Sequence, residues 1–323
     1  MPTLAYILSA SHSGSTLLAM LLNSHPGACS VGELKLTSLG DVDRYPCSCG
    51  DLLRSCPFWR QVSAAMSRRG VSLDLADAHT SLNAGGTPYT RRLLRPLLRP
   101  PFLEKVRDLA LGLSPQWSRQ IQSFRQRNLA LIESLSEISG ARVIVDSSKL
   151  GLRLKYLLTI AQLEVKVIRL ISDGRGVALT YTDPAQYADT TNPALRGGGT
   201  GGGRERERLS IAAAAREWRR SNEEAENAIR TLKPQQWIEV RYEELCAAPG
   251  TVLSRVFGHL NLEPQQAAAD FRSVAHHVVG NGMRLDTTSE VRLDERWRSS
   301  LSSGDLRQFE TEAGNLNRYY GYI

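Results

Sequence analysis

No apolar stretch of the sequence reaches the roughly 18–20 residues that a membrane span needs. The N-terminus carries neither a basic segment nor a cleavage site, since Met1-Pro2-Thr3 leads straight into the first apolar run. The expectation is a cytoplasmic chain. Aromatics make up only 7% and are scattered, so the basic stripe with interleaved rings that marks nucleic-acid binding is missing. Lysine is scarce as well. Arginine supplies most of the 40 basic residues behind the net charge of +7. Arginine suits bidentate contacts with phosphate or sulfate, so a small anionic ligand is expected. There are five cysteines, an odd number, which argues against a disulfide framework in a cytoplasmic chain.

What is present is ordinary globular material. With 323 residues and 41% hydrophobic content, the chain reads as one domain, 1–323, with insertions. Residues 5–8 are apolar enough for a buried strand. Residues 9–16 are small and polar, and an apolar helix runs on from Thr16. A strand–turn–helix of this kind aims several backbone N–H groups at one spot, on the positive end of a helix dipole, where an anion binds. It is close to a P-loop, but Gly14 is followed by Ser15-Thr16 and not by the Lys-Ser/Thr pair that a triphosphate requires. The plain alternative is the first βα turn of an α/β domain.

Two more strands end in the same way. Residues 143–145 form a central-strand run that closes on Asp146-Ser147-Ser148-Lys149. Residues 165–171 lead into Ser172-Asp173-Gly174-Arg175, then a helix. Open α/β sheets place ligands at such strand ends. Strands alternating with helices predict a parallel sheet in a three-layer α/β fold, flanked by helices. Further helices are expected over 150–158, 209–232, 249–260, 264–275 and 305–323, and a last strand over 237–240.

Residues 41–140 read as a Cys-rich and helical insertion that covers the site and shapes an acceptor pocket. Its clearest helix spans 120–138 and ends at Gly140. Cys47, Cys49 and Cys56 make a compact knuckle. Zinc wants four ligands and only three cysteines are here, with His25 and His79 the nearest histidines in sequence. A metal there needs a remote ligand. A disulfide or three ordinary thiols compete with it, and zinc is the less favoured reading. Residues 184–208 are Gly-rich and flexible by composition, either a lid or a solvated linker. Glu33 follows a short extended piece and is either a solvated loop carboxylate or a general base. His276 and His277 suggest packing or surface roles more than metal. In the loop Gly280-Asn281-Gly282-Met283-Arg284, Arg284 is either an anion clamp or part of a structured turn.

With those residues in hand, the chain resembles the bacterial branch of the PAPS-dependent sulfotransferases. The family's 5′-phosphosulfate loop is matched by His12-Ser13-Gly14-Ser15-Thr16-Leu17-Leu18. Its 3′-phosphate motif is matched by Leu170-Ile171-Ser172-Asp173-Gly174-Arg175, with Thr180 eight residues after Ser172. The segments around Glu33, Asp146–Lys149, Arg241–Leu245, Gly280–Arg284 and Gly321-Tyr322, and the Cys47–Trp59 knuckle, are similar too. Two departures stand out: His12 replaces a basic residue, and Ser172 replaces an arginine.

The resemblance implies a P-loop-like fold and transfer of a sulfuryl group from 3′-phosphoadenosine 5′-phosphosulfate (PAPS) to a hydroxyl or amine of a small-molecule, lipid or carbohydrate acceptor, without Mg²⁺. It implies that Ser13, Gly14, Ser15, Thr16 and Leu17 hold the phosphosulfate, and that Ser172, Arg175, Thr180 and Arg284 hold the 3′-phosphate. Glu33 is then the base, with Lys149 and, when protonated, His12 as cations near the transferring group. A P-loop kinase or NTPase and a non-catalytic nucleotide-binding module are the alternatives, the first disfavoured by the missing Gly-Lys pair.

Overall fold

A computed structural model describes every residue except 37, 38, 40, 98, 200–203 and 264–269. Five strands pair in a parallel sheet of order β2-β3-β1-β4-β5. They are β1 (Thr3–Ser9), β2 (Ala28–Ser30), β3 (Val143–Lys149), β4 (Glu164–Ile171) and β5 (Trp237–Arg241). β1 lies in the middle, so the C-terminal ends of β3, β1 and β4 open side by side.

Period-two alternation builds the two faces. Leu4, Tyr6 and Leu8 of β1 point to one side with Ile144 and Val167. Ala5 and Ile7 point to the other with Val145, Ile168 and Leu170. The first face is covered by α2 (Pro57–Arg68), α5 (Pro115–Ser139) and α6 (Gly151–Leu157). The second is covered by α1 (Ser15–Leu22) and α12 (Pro249–His259). The three layers expected from the sequence are the layers found.

The remaining helices place the site's outer walls. Between α2 and α5 lie α3 (Pro88–Leu93) and α4 (Pro101–Gly112). After β4 come α7 (Gly174–Thr182), α8 (Pro184–Tyr187), α9 (Arg196–Gly199) and α10 (Ile211–Ile229), and after β5 comes α11 (Tyr242–Ala247). Helices α13 (Trp297–Ser300) and α14 (Ser303–Tyr319) close the chain. Helix boundaries follow their caps. Ser114 accepts from Trp117 N–H to open α5, and Gly140 closes it at φ 71°. Ser210 caps α10, and Ser302 with Asp305 forms a capping box at α14. α14 therefore ends at Tyr319 and does not run to the final residue; a left-handed turn at Gly321 follows. Of the helix expected over 264–275, residues 264–269 lie outside the described residues, and 270–275 are turn and bend. The middle of the insertion, 71–87, is irregular: Asp74 and Asp77 accept from the N–H groups of Ala76 and His79 in local turns, and Gly85-Gly86 ends the stretch.

α7 packs on α10 through a glycine. A Cβ on Gly174 would lie 2.7 Å from Phe309 Cζ and 2.9 Å from the Trp218 ring. The close approach buries Trp218 with Ile171, Val177 and Phe309 in a third core cluster. Among the described residues, no helix is long and apolar enough to cross a membrane.

One buried ion pair ties the sheet to the insertion. Asp146 and Arg153 are almost wholly excluded from solvent, with Arg153 Nε 3.1 Å from Asp146 Oδ2. Arg153 also donates to Thr80 O and Asn128 Oδ1. Removing one partner of a buried pair costs about 3–5 kcal/mol, whereas an exposed pair contributes about 0–1 kcal/mol. Arg153→Met is therefore expected to lower the urea midpoint steeply, while Arg54→Ala, which breaks the exposed contact with Asp43, leaves it nearly unchanged. Equal losses in the two variants would show that the Asp146–Arg153 pair does not hold the insertion.

Candidate active site

The ends of β1, β3 and β4 open into one cleft of about 1520 Å³. Its floor is the turn after β1. Gly14 sits at φ 82°, in the left-handed region, and a Cβ there would meet the Tyr242 ring at 2.4 Å. Glycine is needed for both reasons. α1 starts directly after it, with no side-chain cap and no acidic residue in its first turn. The N–H groups of Ser15, Thr16 and Leu17 have no intrahelical partner, so they present an open positive helix end to the cleft. Around this end, the buried hydroxyls of Ser9, Ser13 and Ser172 have no hydrogen-bond partner among the described residues. An unsatisfied buried hydroxyl costs about 1–3 kcal/mol. An anion with several oxygens would satisfy such a set.

His12 heads this loop at φ 62°, its ring edge-on to Tyr181 at 4.5 Å. Burial pushes its imidazole down to about 3, helped by the cations Arg204 and Lys149 and opposed by Glu33. Without an anion beside it, His12 is therefore neutral at neutral pH. The neighbours responsible come from distant parts of the chain.

The second wall is a clamp on Glu33. Lys149 Nζ donates to Glu33 Oε1, and Lys35 Nζ lies 2.7 Å from Oε2. Burial raises this carboxyl, but Lys149 and Lys35 outweigh it and hold it down to about 2. Lys149 adopts φ 71° and also donates to Ser147 O. Asp146 faces away from the cleft. Its Oδ1 accepts from Leu34 N–H at 3.0 Å and from Ser148 N–H and Oγ, so it fixes the segment bearing Glu33 and Lys35.

The third wall is the β4–α7 turn. Asp173 caps α7, and Arg175 folds back on it in a bidentate pair, 2.7 Å at the closest. The Arg175 guanidinium stacks on Trp297 at 4.0 Å. Thr180 lines the cleft, its hydroxyl donating to Gly176 O at 2.9 Å. Other arginines along the cleft are paired too: Arg204 with Glu207, Arg292 with Glu290, Arg296 with Asp294 and Arg298 with Glu295, each within 2.6–2.8 Å.

The structure thus gathers His12, Gly14, Ser15, Thr16, Leu17, Glu33, Lys149, Ser172, Arg175 and Thr180 around one space. Ser13 lies beneath it, fully buried. Arg284 is not at its surface. Its guanidinium stacks on Tyr45 and donates to the carbonyls of Gly280, Asn281 and Pro46. It shapes the loop that carries Gly280 and Asn281, and those two residues do line the cleft. Arg169 is buried against Asn222 and Tyr320, behind the turn. The sequence assigns no site role to Ser11, Tyr181, Asp189, Arg204, Tyr242 and Trp297, all lining the space. Ser11 belongs to the first loop and Tyr242 to the Arg241–Leu245 segment; Asp189 and Arg204 fall in the Gly-rich stretch 184–208.

The His12 charge is open to measurement. An unfolded imidazole takes its proton near 6.5 and the folded one near 3. Between these values the unfolded chain binds more protons, so this group's contribution to stability is full above pH 6.5 and falls away toward pH 3. Nitrogen-15 NMR on the protein without nucleotide is expected to find the ring neutral down to about pH 4, well below the usual histidine midpoint of about 6.5. Titration near that ordinary value would overturn the assignment.

No protein-family profile matches the chain, and no curated protein does. Solved structures do. The sulfotransferase domain of the Synechococcus PCC 7002 olefin synthase superposes with a TM-score of 0.51 at 20% identity, over 96% of this chain and 94% of that one. A sulfotransferase domain from the curacin biosynthetic pathway gives a TM-score of 0.48 at 18% identity, over 96% and 97%. A sulfotransferase from Mycobacterium avium gives 0.46 at 12%, over 84% and 67%. The sheet order, the layers and the first of these superpositions agree: the chain has the P-loop-like fold of sulfotransferases.

Proposed function

We propose that the chain is a sulfotransferase that moves a sulfuryl group from PAPS to a hydroxyl or amine of an acceptor. The observation that carries this reading is the open end of α1 beyond Gly14, in a cleft lined also by Ser172, whose buried hydroxyl is unsatisfied among the described residues. A donor with a phosphosulfate and a separate 3′-phosphate supplies acceptors at both places. The N–H groups of Ser15, Thr16 and Leu17, with the hydroxyls of Ser15 and Thr16, take the phosphosulfate. Ser172, Arg175 and Thr180 take the 3′-phosphate. Arg284 acts from behind, through the Gly280–Asn281 loop.

In the reaction, the acceptor oxygen or nitrogen forms a bond to sulfur as the bond from sulfur to the bridging phosphate oxygen breaks. The acceptor's proton passes to Glu33. Clamped by two lysines, Glu33 is ionised but weakly basic. Arrival of the donor draws Lys149 toward the bridging oxygen, where negative charge grows, and the same movement frees Glu33 to accept the proton. His12 takes up a proton as phosphate oxygens come beside it. The acceptor lies toward a second cavity of about 770 Å³ beneath the insertion, lined by Leu94, Leu97, Leu150 and Leu152 and sharing Lys35 with the cleft.

A neutral His12 and a clamped Glu33 favour one second reading, a nucleotide-binding module without turnover. Calorimetry separates these readings from a kinase: 3′-phosphoadenosine 5′-phosphate is expected to bind more tightly than ATP. Tighter ATP binding, or no binding of the bisphosphate, would sink the sulfotransferase reading. An acceptor screen by mass spectrometry then looks for addition of one sulfuryl group, and binding with no addition on any acceptor supports the module. With an acceptor in hand, Glu33→Gln is expected to lower turnover by roughly 10²–10⁴-fold with the donor still bound. Unchanged turnover would remove Glu33 from the base role.

A further inference from the structure

The cysteine knuckle gains its fourth ligand from the far end of the chain. Cys47, Cys49, Cys56 and His277 place three sulfurs and a ring nitrogen all within 4.8 Å of one another. We propose that these four residues bind a zinc(II) ion, in a structural site that fastens the knuckle to the loop running from His277 to Arg284.

Three of the six ligand–ligand edges already have tetrahedral lengths, and all six are within 4.8 Å. Zn–S bonds of about 2.3 Å and Zn–N bonds of about 2.0–2.1 Å imply S–S edges of about 3.8 Å and S–N edges of about 3.6 Å. Cys49 and Cys56 Sγ are 3.6 Å apart. His277 Nδ1 lies 3.8 Å from Cys47 Sγ and 3.5 Å from Cys56 Sγ. All three cysteines are free thiols.

Local structure aims each ligand inward. Cys47 and Cys49 flank a tight turn, closed by Cys47 N–H to Asp51 O at 2.8 Å and by Gly50 N–H to Cys47 O at 3.0 Å. Cys56 is the N-cap of α2. Phe58, in the first turn of that helix, stacks flat on the His277 ring at 4.2 Å and fixes its plane. Cys47 and Cys56 are buried, and Cys49 is exposed, which leaves a route for the ion to enter. Four protein ligands close the coordination shell, so the ion's work is structural. On binding, the three thiols release their protons to solvent, His277 supplies a lone pair, and zinc keeps its oxidation state.

The site matters for the cleft because of what the loop does next. Val278 N–H donates to Ser48 Oγ at 2.8 Å, and Gly280 N–H to Tyr45 Oη at 2.7 Å. Val279 N–H donates to Val31 O at 3.0 Å, two residues before Glu33. A metal at the knuckle thus anchors the strip that carries Gly280 and Asn281 along the cleft wall.

The proposal is independent of the sulfotransferase reading, and its test reads metal rather than turnover. The full chain, expressed with zinc and purified without a metal-binding tag, is expected to contain about one zinc per chain by elemental analysis. Exchange for cobalt(II) is expected to give the intense visible absorption of a tetrahedral site and a thiolate charge-transfer band. In the native protein, Cys47, Cys49 and Cys56 should resist a thiol reagent until a chelator is added. His277→Cys, which preserves four ligands, is expected to retain the ion. His277→Ala is expected to lose it on dialysis against a weak chelator, and Cys246→Ser to behave as the parent. A folded parent chain with far less than one zinc and a weak, octahedral cobalt spectrum would overturn the proposal. So would a Cys49–Cys56 disulfide found by mass spectrometry in freshly purified protein, or His277→Ala holding zinc as tightly as the parent. The parent's metal content decides the matter even if a variant fails to fold.

Discussion

The buried pair between Asp146 and Arg153 is the contact on which most of this structure depends. It stands where the sheet, the segment bearing Glu33 and the helical insertion meet. Asp146 lies midway along β3 and accepts from Leu34 N–H, while Arg153 reaches from α6 to Asp146, Thr80 O and Asn128. Two charges taken out of water gain little net stability over an apolar pair of the same shape. What they impose is geometry. A carboxylate with this many donors, and a guanidinium whose three nitrogens all have acceptors, fit together in one arrangement only. Glu33 is therefore placed by a residue more than a hundred positions away and not by its own loop.

That placement explains the chemistry next to it. Lys149 ends the same strand as Asp146, and Lys35 N–H is held by Ser148 Oγ at 3.2 Å. Both lysines arrive beside Glu33 because Asp146 fixes both backbones. The clamp keeps the carboxylate charged, while burial, with Arg204 and the shared Lys149, pushes His12 toward neutrality. Charge at the centre of the cleft is thus a property of the whole cluster.

Local signals in the sequence were enough for the sheet and the first loop. The alternation of Leu4, Tyr6 and Leu8 against Ala5 and Ile7 encodes two buried faces, and Gly14 before an apolar helix encodes the turn. Side chains whose role depends on a distant partner were not legible in this way. Asp146 looks like a ligand contact until Arg153 is seen to hold it. Arg284 looks like an anion clamp until three carbonyls are seen around it. The knuckle falls one ligand short until His277 arrives across 230 residues of sequence. In each case the spacing along the chain contains no trace of the spatial neighbour.

The paired arginines around the cleft have a consequence of their own. Arg175, Arg204, Arg292, Arg296 and Arg298 each already hold a carboxylate. An incoming anion therefore meets guanidinium groups that each already carry an acid, and not a bare positive socket. Those acids belong to the architecture. Asp173 is the cap of α7, and its Oδ1 also accepts from Asn317 of α14. The carboxylate that holds Arg175 at the cleft is thus the same one that joins α7 to the C-terminal helix.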